Sequence, residues 1–316
     1  MSSPAALAAL PPQITHARVL WAALRFAWWW SLLDLSRRLR FESRALYGHF
    51  YDGVTSLLGE TGACGPFLNY GYARLDGLDA PPRGDGLDAV SRAALDLYRR
   101  TATDGGTLGL GGLDVLEVGA GLGGGAAWLA QQLRPRRFVA VDLSDAAVRA
   151  SRARHAAVPG LRFEQGDAER LAFADREFDV VLSVESSHTY PNFGAFLGEA
   201  VRVLKPGGHL LLSDFRPAGR ASAFRRAIEG CGVLDDVVVE DVTANVVEAL
   251  RLTSDAKESR IQRLGLPRFV ADQLGYFAAV AHSEKYERFR RGDDVYLRVR
   301  ARKTSGTHDG ERRAIG

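Results

Sequence analysis

From Leu113 onward, short apolar runs alternate with stretches of helical spacing. LDVLEV, RFVAVD, LRFEQG, FDVVLSV and GHLLLSDF read as strands, and AAWLAQQL, DAAVRASRARHAA and NFGAFLGEAVRVL between them read as helices. Lys205-Pro206-Gly207-Gly208 reads as a helix stop followed by a turn. Such alternation predicts a mostly parallel sheet with helices on both faces. Beyond Asp214 the pattern loosens. ASAFRRAIEGCG is a helix, VLDDVVVEDV a strand or sheet edge, and TANVVEALRLTSDAKESRIQRL a long helix. PRFVADQLGYFAAVAHSEKYERFRRG adds more helix, and DDVYLRVRARK alternates like a closing strand. Ahead of Leu113 there is no strand pattern. Helical spacing runs from about Ile14 to Leu58 and returns in LDAVSRAALDLYRRTA, with an irregular Gly-containing stretch between them. The expected organisation is a helical N-terminal lid over 1–112 and an α/β domain over 113–304 that carries a helical cap insert at about 243–292. Disordered ends are expected over 1–12 and 305–316.

A chain of 316 residues holds one large domain or one domain with a substantial elaboration. Its 46% hydrophobic and 25% charged residues are ordinary for a globular protein with a real core. The net charge of +3, with Lys and Arg scattered, argues against nucleic acid as a partner. Cys64 and Cys231 stand far apart without metal-type spacing, which fits a reducing cytoplasmic setting and neither a disulfide framework nor a zinc site. The histidines other than His188 show no metal spacing among themselves, so no metal is expected. The first residues lack the basic start and cleavage pattern of a signal peptide. Val19 to Leu35 is nearly all apolar, but as a membrane span it is short, and Arg25 near its middle costs roughly 2.5–3.5 kcal/mol. Two readings stand for it: a buried helix packed on the domain or on a second subunit as a homodimer, or a helix lying on a membrane surface.

The Gly-rich turn in LEVGAGLGGGAAWLA follows a strand and opens a helix. A chain leaving a buried strand there must bend sharply and admit a ligand to its backbone, which Gly119 and Gly121 permit. Alone, such a turn serves many nucleotides. Glu117 just before it disfavours a pyrophosphate and favours a ligand with a cationic amino group. Asp142, followed by Leu143, ends the next strand, where an acid accepts ribose hydroxyls. Gly166-Asp167-Ala168 ends the third, where an acid takes an exocyclic amine.

The ordered series EVGAGLGGG, VDLS, GDAERLAFADREFDVVLSVESSH and VLKPGGHLLLSDF resembles the motifs of class I S-adenosylmethionine-dependent methyltransferases over roughly Leu113 to Phe215. The resemblance implies a Rossmann-like sheet of seven strands, the last antiparallel, with S-adenosylmethionine across the carboxyl ends of the first strands. Within that class, ESxH…DF is similar to natural-product and sugar O-methyltransferases of the rebeccamycin type. The His and Asp matching His188 and Asp214 act there as base and orienting acid. A second His often follows in that family, where this chain has Thr189. VESSHTYP, VRVLKPGG and FLNYGY resemble more closely the actinobacterial phthiotriolone-type lipid and polyketide O-methyltransferases, in which the segment matching Asn69-Tyr70-Gly71-Tyr72 folds over the cofactor. Tyr70 and Tyr72 are thus cofactor contacts or lid packing.

The expected function is O-methylation of a hydroxyl on a hydrophobic natural product, polyketide, lipid or glycoside, a step of secondary metabolism, with His188 as general base and Asp214 orienting it. Glu185 has two readings: a cofactor contact, or the base of a carbon-methylating reaction. Three alternatives stand beside this: C-methylation of a prenyl or terpenoid chain, methylation of a fatty-acid or peptide carboxylate, and a methyltransferase-like binding subunit without activity.

Overall fold

The computed structural model describes residues 16–38, 43–61, 66–75 and 86–305. Cys64 and, of the two ends expected to be disordered (1–12 and 305–316), every residue but Ser305 lie outside the described residues. Three helices come first: α1 (His16–Arg38), α2 (Arg44–Thr61) and α3 (Ala89–Ala102). Then follow β1 (Asp114–Val118), α4 (Gly124–Leu133), β2 (Arg137–Asp142), α5 (Asp145–Arg154), β3 (Leu161–Gln165) and β4 (Phe178–Val184). The chain continues through α6 (Phe193–Val203), β5 (Leu204–Pro217), α7 (Ala218–Glu229) and β6 (Leu234–Asp241). Helices α8 (Thr243–Arg263), α9 (Arg268–Phe277) and α10 (Glu284–Arg291) fill the gap before β7 (Asp294–Lys303). The insert expected between the last two strands is therefore three helices.

The seven strands order as β3-β2-β1-β4-β5-β7-β6. Strands β1 to β5 run parallel, and β7 is antiparallel to both β5 and β6. Strand order reverses beside β1, so a crevice opens beyond the carboxyl ends of β1, β2 and β4. Every residue of β1 is buried because helices cover both faces. Its two-residue period sends Val115 into the apolar cluster with α3, α4 and α8, and Leu116 and Val118 into the opposite cluster with α6 and α7.

Side-chain caps start the helices where the sequence offers them. Asp88 accepts from Ser91 N at 2.9 Å ahead of α3, Ser144 from Ala147 N at 3.0 Å ahead of α5, and Asn192 from Ala195 N at 3.0 Å ahead of α6. The run Lys205-Pro206-Gly207-Gly208 does not separate helix from strand as expected. Strand β5 already begins at Leu204 opposite Phe178, and the run is an irregular stretch of that strand before His209 pairs with Val180. Gly207 at φ +77° lets the strand bend there without losing its place in the sheet.

A third apolar cluster joins the N-terminal helices to the insert, with Phe26, Phe50, Leu57, Leu122, Val270 and Leu274 at its centre. Helix α1 buries Ala22, Ala23, Phe26 and Ala27 in it, yet leaves Trp21 and Trp28 71% and 65% exposed. The buried-helix reading of Val19 to Leu35 holds for one face only. Among the described residues no helix is long and apolar enough to cross a membrane.

Leu211 is fully buried on β5 between β4 and β7. Leu211→Ala is expected to lower unfolding stability by about 2–5 kcal/mol, read as a shift of the denaturant midpoint at unchanged slope.

Candidate active site

A cleft of about 1220 Å³, counted to its mouth, fills the crevice. Its floor is the glycine turn and the tips of β2, β3 and β4. Its roof is α2, through Tyr47, Tyr51 and Thr55, together with the strap 66–70. The strap is pinned where it crosses the sheet. Gly124 N donates to Pro66 O at 3.2 Å, and Tyr70 N donates to Glu185 Oε1 at 2.7 Å.

Gly119 and Gly121 lie at φ +81° and +55°, and a β-carbon on Gly119 would collide with the Ser186 side chain. Glycine is thus required at Gly119 by conformation and by space. Asp142 stands at the cleft wall and accepts from Gly121 N at 2.8 Å and Ser144 N at 2.9 Å. Burial raises its carboxyl above the usual range, against those two donated bonds. Leu143 and Ala168 line the cleft beside it. Asp167 also lines it and forms an ion pair with Arg44 of α2 at 3.2 Å, while Arg44 additionally pairs with Glu169. On the same helix, Asp52 accepts from Ser144 Oγ at 2.5 Å. Helix α2 therefore closes over the tips of β2 and β3 by contacts with the acids and capping residue of the floor.

Two expected cofactor contacts lie elsewhere. Glu117 is fully buried and shares the β1 face of Val115, so it points at α3, where Tyr98 Oη donates to Oε1 at 2.8 Å. Its Oε2 is buried without a hydrogen-bond partner, and burial, with the Asp142 charge adding to it, pushes the carboxyl up to about 7. Tyr98 stands between Glu117 and the cleft that it lines. Tyr72 packs against the core beside α3 and donates its N–H to Ala93 O at 2.9 Å, whereas Tyr70 lines the cleft.

On the acceptor side, β4 and β5 bring His188 and Asp214 together. His188 Nδ1 lies 2.8 Å from Asp214 Oδ1, and His188 N donates to Oδ2 at 2.8 Å. Ser187 Oγ donates to Oδ2 at 2.7 Å, Phe215 N donates to Oδ1 at 2.8 Å, and Arg216 Nη1 sits 3.2 Å from Oδ2. Burial alone would raise the Asp214 carboxyl. The charge that His188 carries at the low pH where Asp214 titrates, the Arg216 charge and the donated hydrogen bonds outweigh it and hold the group well below the usual carboxylate range. Burial lowers His188, the Asp214 charge and hydrogen bond raise it, and Arg216 and Lys285 lower it again; the net direction is down. His188 is thus a neutral imidazole at neutral pH. With Nδ1 held by Asp214, Nε2 is left to the cleft that the ring lines.

Glu185 sits at φ +49°, a strained conformation for a non-glycine residue, with Ser213 O accepting from its N–H at 2.7 Å. Its Oε1 accepts from Tyr70 N and from Tyr296 Oη at 3.0 Å. Burial, with the Asp214 charge, pushes this carboxyl up to about 8 against the bonds from Tyr70 and Tyr296.

Sequence reasoning missed Arg44, Asp52, Arg216, Lys285 and Tyr296. Arg216 directly follows DF and was within reach of a motif reading. Lys285 was not: from α10 its ammonium lies 3.7 Å from the centroid of Phe215, which is 4.1 Å from the His188 ring. No spacing in the chain connects residues 188 and 285. Among the described residues no group of three or more His, Cys, Asp or Glu side chains is placed to hold a metal.

A sheet of this order with a glycine turn and acids at successive strand tips defines a nucleoside-binding α/β protein, and the cleft fits S-adenosylmethionine. Asp142 and Asp167 offer carboxylates to hydroxyl and amine groups, and Gly119 and Gly121 line the cleft with backbone alone. A family profile described as a methyltransferase domain matches residues 116–212. The phthiotriol/phenolphthiotriol dimycocerosates methyltransferase of Mycobacterium tuberculosis is 39% identical over 233 residues, covering 74% of this chain and 83% of that one. The fatty-acid O-methyltransferase of Mycolicibacterium smegmatis is 37% identical over 233 residues, 73% of this chain and 80% of that one. Among solved structures, the [4+2]-cyclase SpnF is similar in fold, with a TM-score of 0.66 and 24% identity over 84% of this chain and 97% of that one. The chain belongs to the S-adenosylmethionine-dependent methyltransferases and is an enzyme of that class.

The raised carboxyl of Glu185 has a sign that can be read in the cofactor-free protein. Its neutral form is favoured on folding, so the stability it contributes is present below the ordinary value of 4.5 and is lost as pH rises toward about 8. Gln keeps the acceptor oxygen for Tyr70 and Tyr296 and does not titrate. Glu185→Gln is expected to gain about 1–2 kcal/mol on the wild type between about pH 5 and about pH 8, measured by denaturant unfolding at both. Parallel pH profiles for the two proteins would refute this assignment.

Proposed function

We propose that the enzyme methylates a hydroxyl group of a hydrophobic, lipid-like acceptor, with His188 as the general base. The observation that carries this reading is the hydrogen bond of 2.8 Å between His188 Nδ1 and Asp214 Oδ1 at the cleft wall. S-adenosylmethionine, when bound, supplies an electrophilic methyl group on a sulfonium centre. Asp142 and Asp167 hold its nucleoside at the tips of β2 and β3. Asp214 keeps the proton of His188 on Nδ1, so Nε2 takes the hydroxyl proton from the acceptor. Arg216 and Lys285 offset the Asp214 charge and keep the imidazole neutral until it does so. Tyr70, Phe215 and Phe277 wall the cleft with rings and exclude water. In this reading the helices within 1–112 and the insert over 243–292 are two halves of one lid.

The acceptor's apolar character rests on the roof and on an annex of about 520 Å³. The annex shares Phe67, Leu68, Asn69, Tyr70 and Phe277 with the cleft and adds Val90 and Ile261. The lipid acceptors named for the two mycobacterial relatives support this class. A lipid acceptor is taken from an aggregate or bilayer, so the reading places the enzyme peripherally at such a surface while it loads.

One observation favours a second reading. Lys257 and Arg260 line the annex, and the relative from Mycolicibacterium smegmatis is named for a fatty acid. A carboxylate acceptor needs no base, so His188 separates the two readings. For a hydroxyl acceptor, His188→Gln lowers kcat by about 10²–10⁴ with cofactor affinity retained; a near-normal rate means a carboxylate acceptor. The acid limb of the kcat/KM profile is expected below the ordinary histidine value of 6.5, because activity is lost only as pH falls through the depressed value. Lys285→Met removes a cation that lowers His188 and moves that limb upward.

A further inference from the structure

Helix α1 is apolar on two sides. One side, with Val19, Ala22, Phe26 and Leu33, is buried in the lid. The other carries Leu20, Trp21, Leu24, Trp28 and Leu35, exposed by 36, 71, 38, 65 and 51%. At helical spacing these five fall within an arc of roughly 100° and form one stripe about 22 Å long. Arg25 is exposed at its flank. A helix apolar all round is covered on both sides in a folded assembly or meets an apolar phase. Among the described residues nothing covers this stripe.

We propose that the outer face of α1 docks the enzyme on an anionic lipid surface, lying flat with Trp21 and Trp28 in the headgroup region. This deepens the lipid-acceptor reading and rests on it for its purpose. Charge selects the occupant. From His16 to Arg40 the sequence carries Arg18, Arg25, Arg37, Arg38 and Arg40 against Asp34 alone, a net of +4. A second copy of α1 laid on the first would bring two such charges together, whereas an anionic headgroup layer neutralises them. Indole rings favour the boundary between headgroups and acyl chains. The helix that carries this face also packs on the cleft lining. On the inner side of the same helix, the Phe26 and Trp30 rings lie 6.2 and 6.4 Å from Phe277, which lines it. An acceptor leaving the surface under α1 therefore meets the lid directly.

The test is flotation of the full-length enzyme with vesicles of phosphatidylcholine alone and of equal parts phosphatidylcholine and phosphatidylglycerol, with tryptophan emission read in parallel. Binding is expected to the mixed vesicles, with a blue-shifted emission and weakening by added salt. The double variant W21S/W28S should lose at least about tenfold in partition, since both anchoring side chains are exposed and outside the core. Its turnover on a short, monomeric hydroxy acceptor should match the wild type, while turnover on vesicle-borne acceptor falls with binding. The proposal is overturned if the wild type ignores both vesicle types. It is equally overturned if the wild type runs as a dimer that W21S/W28S converts to monomer, or if vesicles leave the emission of Trp21 and Trp28 unchanged. Vesicle binding without methylation of any hydroxylated lipid would support the docking and count against the acceptor reading, so the two fail separately.

Discussion

The acceptor side of the cleft is organised around one buried carboxylate. Asp214 is 2% exposed and remains ionised because five groups converge on it: two backbone N–H groups, the Ser187 hydroxyl, the His188 ring and the Arg216 guanidinium. A buried charge without such partners costs several kcal/mol and shifts to its neutral form. Here the donors come from two consecutive residues of β5, Phe215 and Arg216, and from Ser187 and His188 in the loop after β4. The charge therefore welds two neighbouring strand tips together and holds the His188 imidazole at the cleft wall. Arg216 closes the arrangement by donating to Ser187 Oγ at 2.7 Å as well.

Two other carboxylates at the crevice, and Glu117 behind Tyr98, are treated in the opposite way. Glu117 and Glu185 are pushed up to about 7 and about 8, and Asp142 is raised as well, each by burial with fewer compensating donors. Separating acids of one site in this manner sorts them into roles. Asp214 is a fixed anion, and Glu185 is a largely neutral acid that pins the strap through the Tyr70 N–H. A carboxylic acid held neutral is a poor proton acceptor. The arrangement thus supports the proposal that His188, and not Glu185, serves as the base.

The helices over the cleft show how distant parts of the chain are joined by apolar contact. Phe26 and Trp30 of α1, Phe50 of α2 and Phe277 of α9 form a ring cluster with centroids 5.7 to 6.4 Å apart. Polar contacts then register the lid on the sheet: Arg44 on Asp167 and Glu169, and Asp52 on Ser144. Because Asp167, Glu169 and Ser144 also line the cleft, α2 is registered on residues of its floor.

Much of this was legible in the chain. The period-two runs and helical stretches after Leu113 determine the βαβ units, since each element must bury its own apolar face. The glycine turn, Asp142 and Asp167 announce themselves because a ligand-admitting bend and strand-end acids are local features. The pairing of His188 with Asp214 follows once β4 and β5 are known to be neighbours. Other features were settled only in three dimensions. The tilt of Glu117 toward Tyr98, the Lys285 ammonium stacked on Phe215, the Tyr296 hydroxyl on Glu185 and the outward-facing tryptophans of α1 all depend on which face of an element meets which partner. A linear pattern encodes periodicity, which local backbone geometry obeys; burial and charge pairing arise from packing between segments far apart in the chain, as Phe26 and Phe277 are, and no local spacing records them.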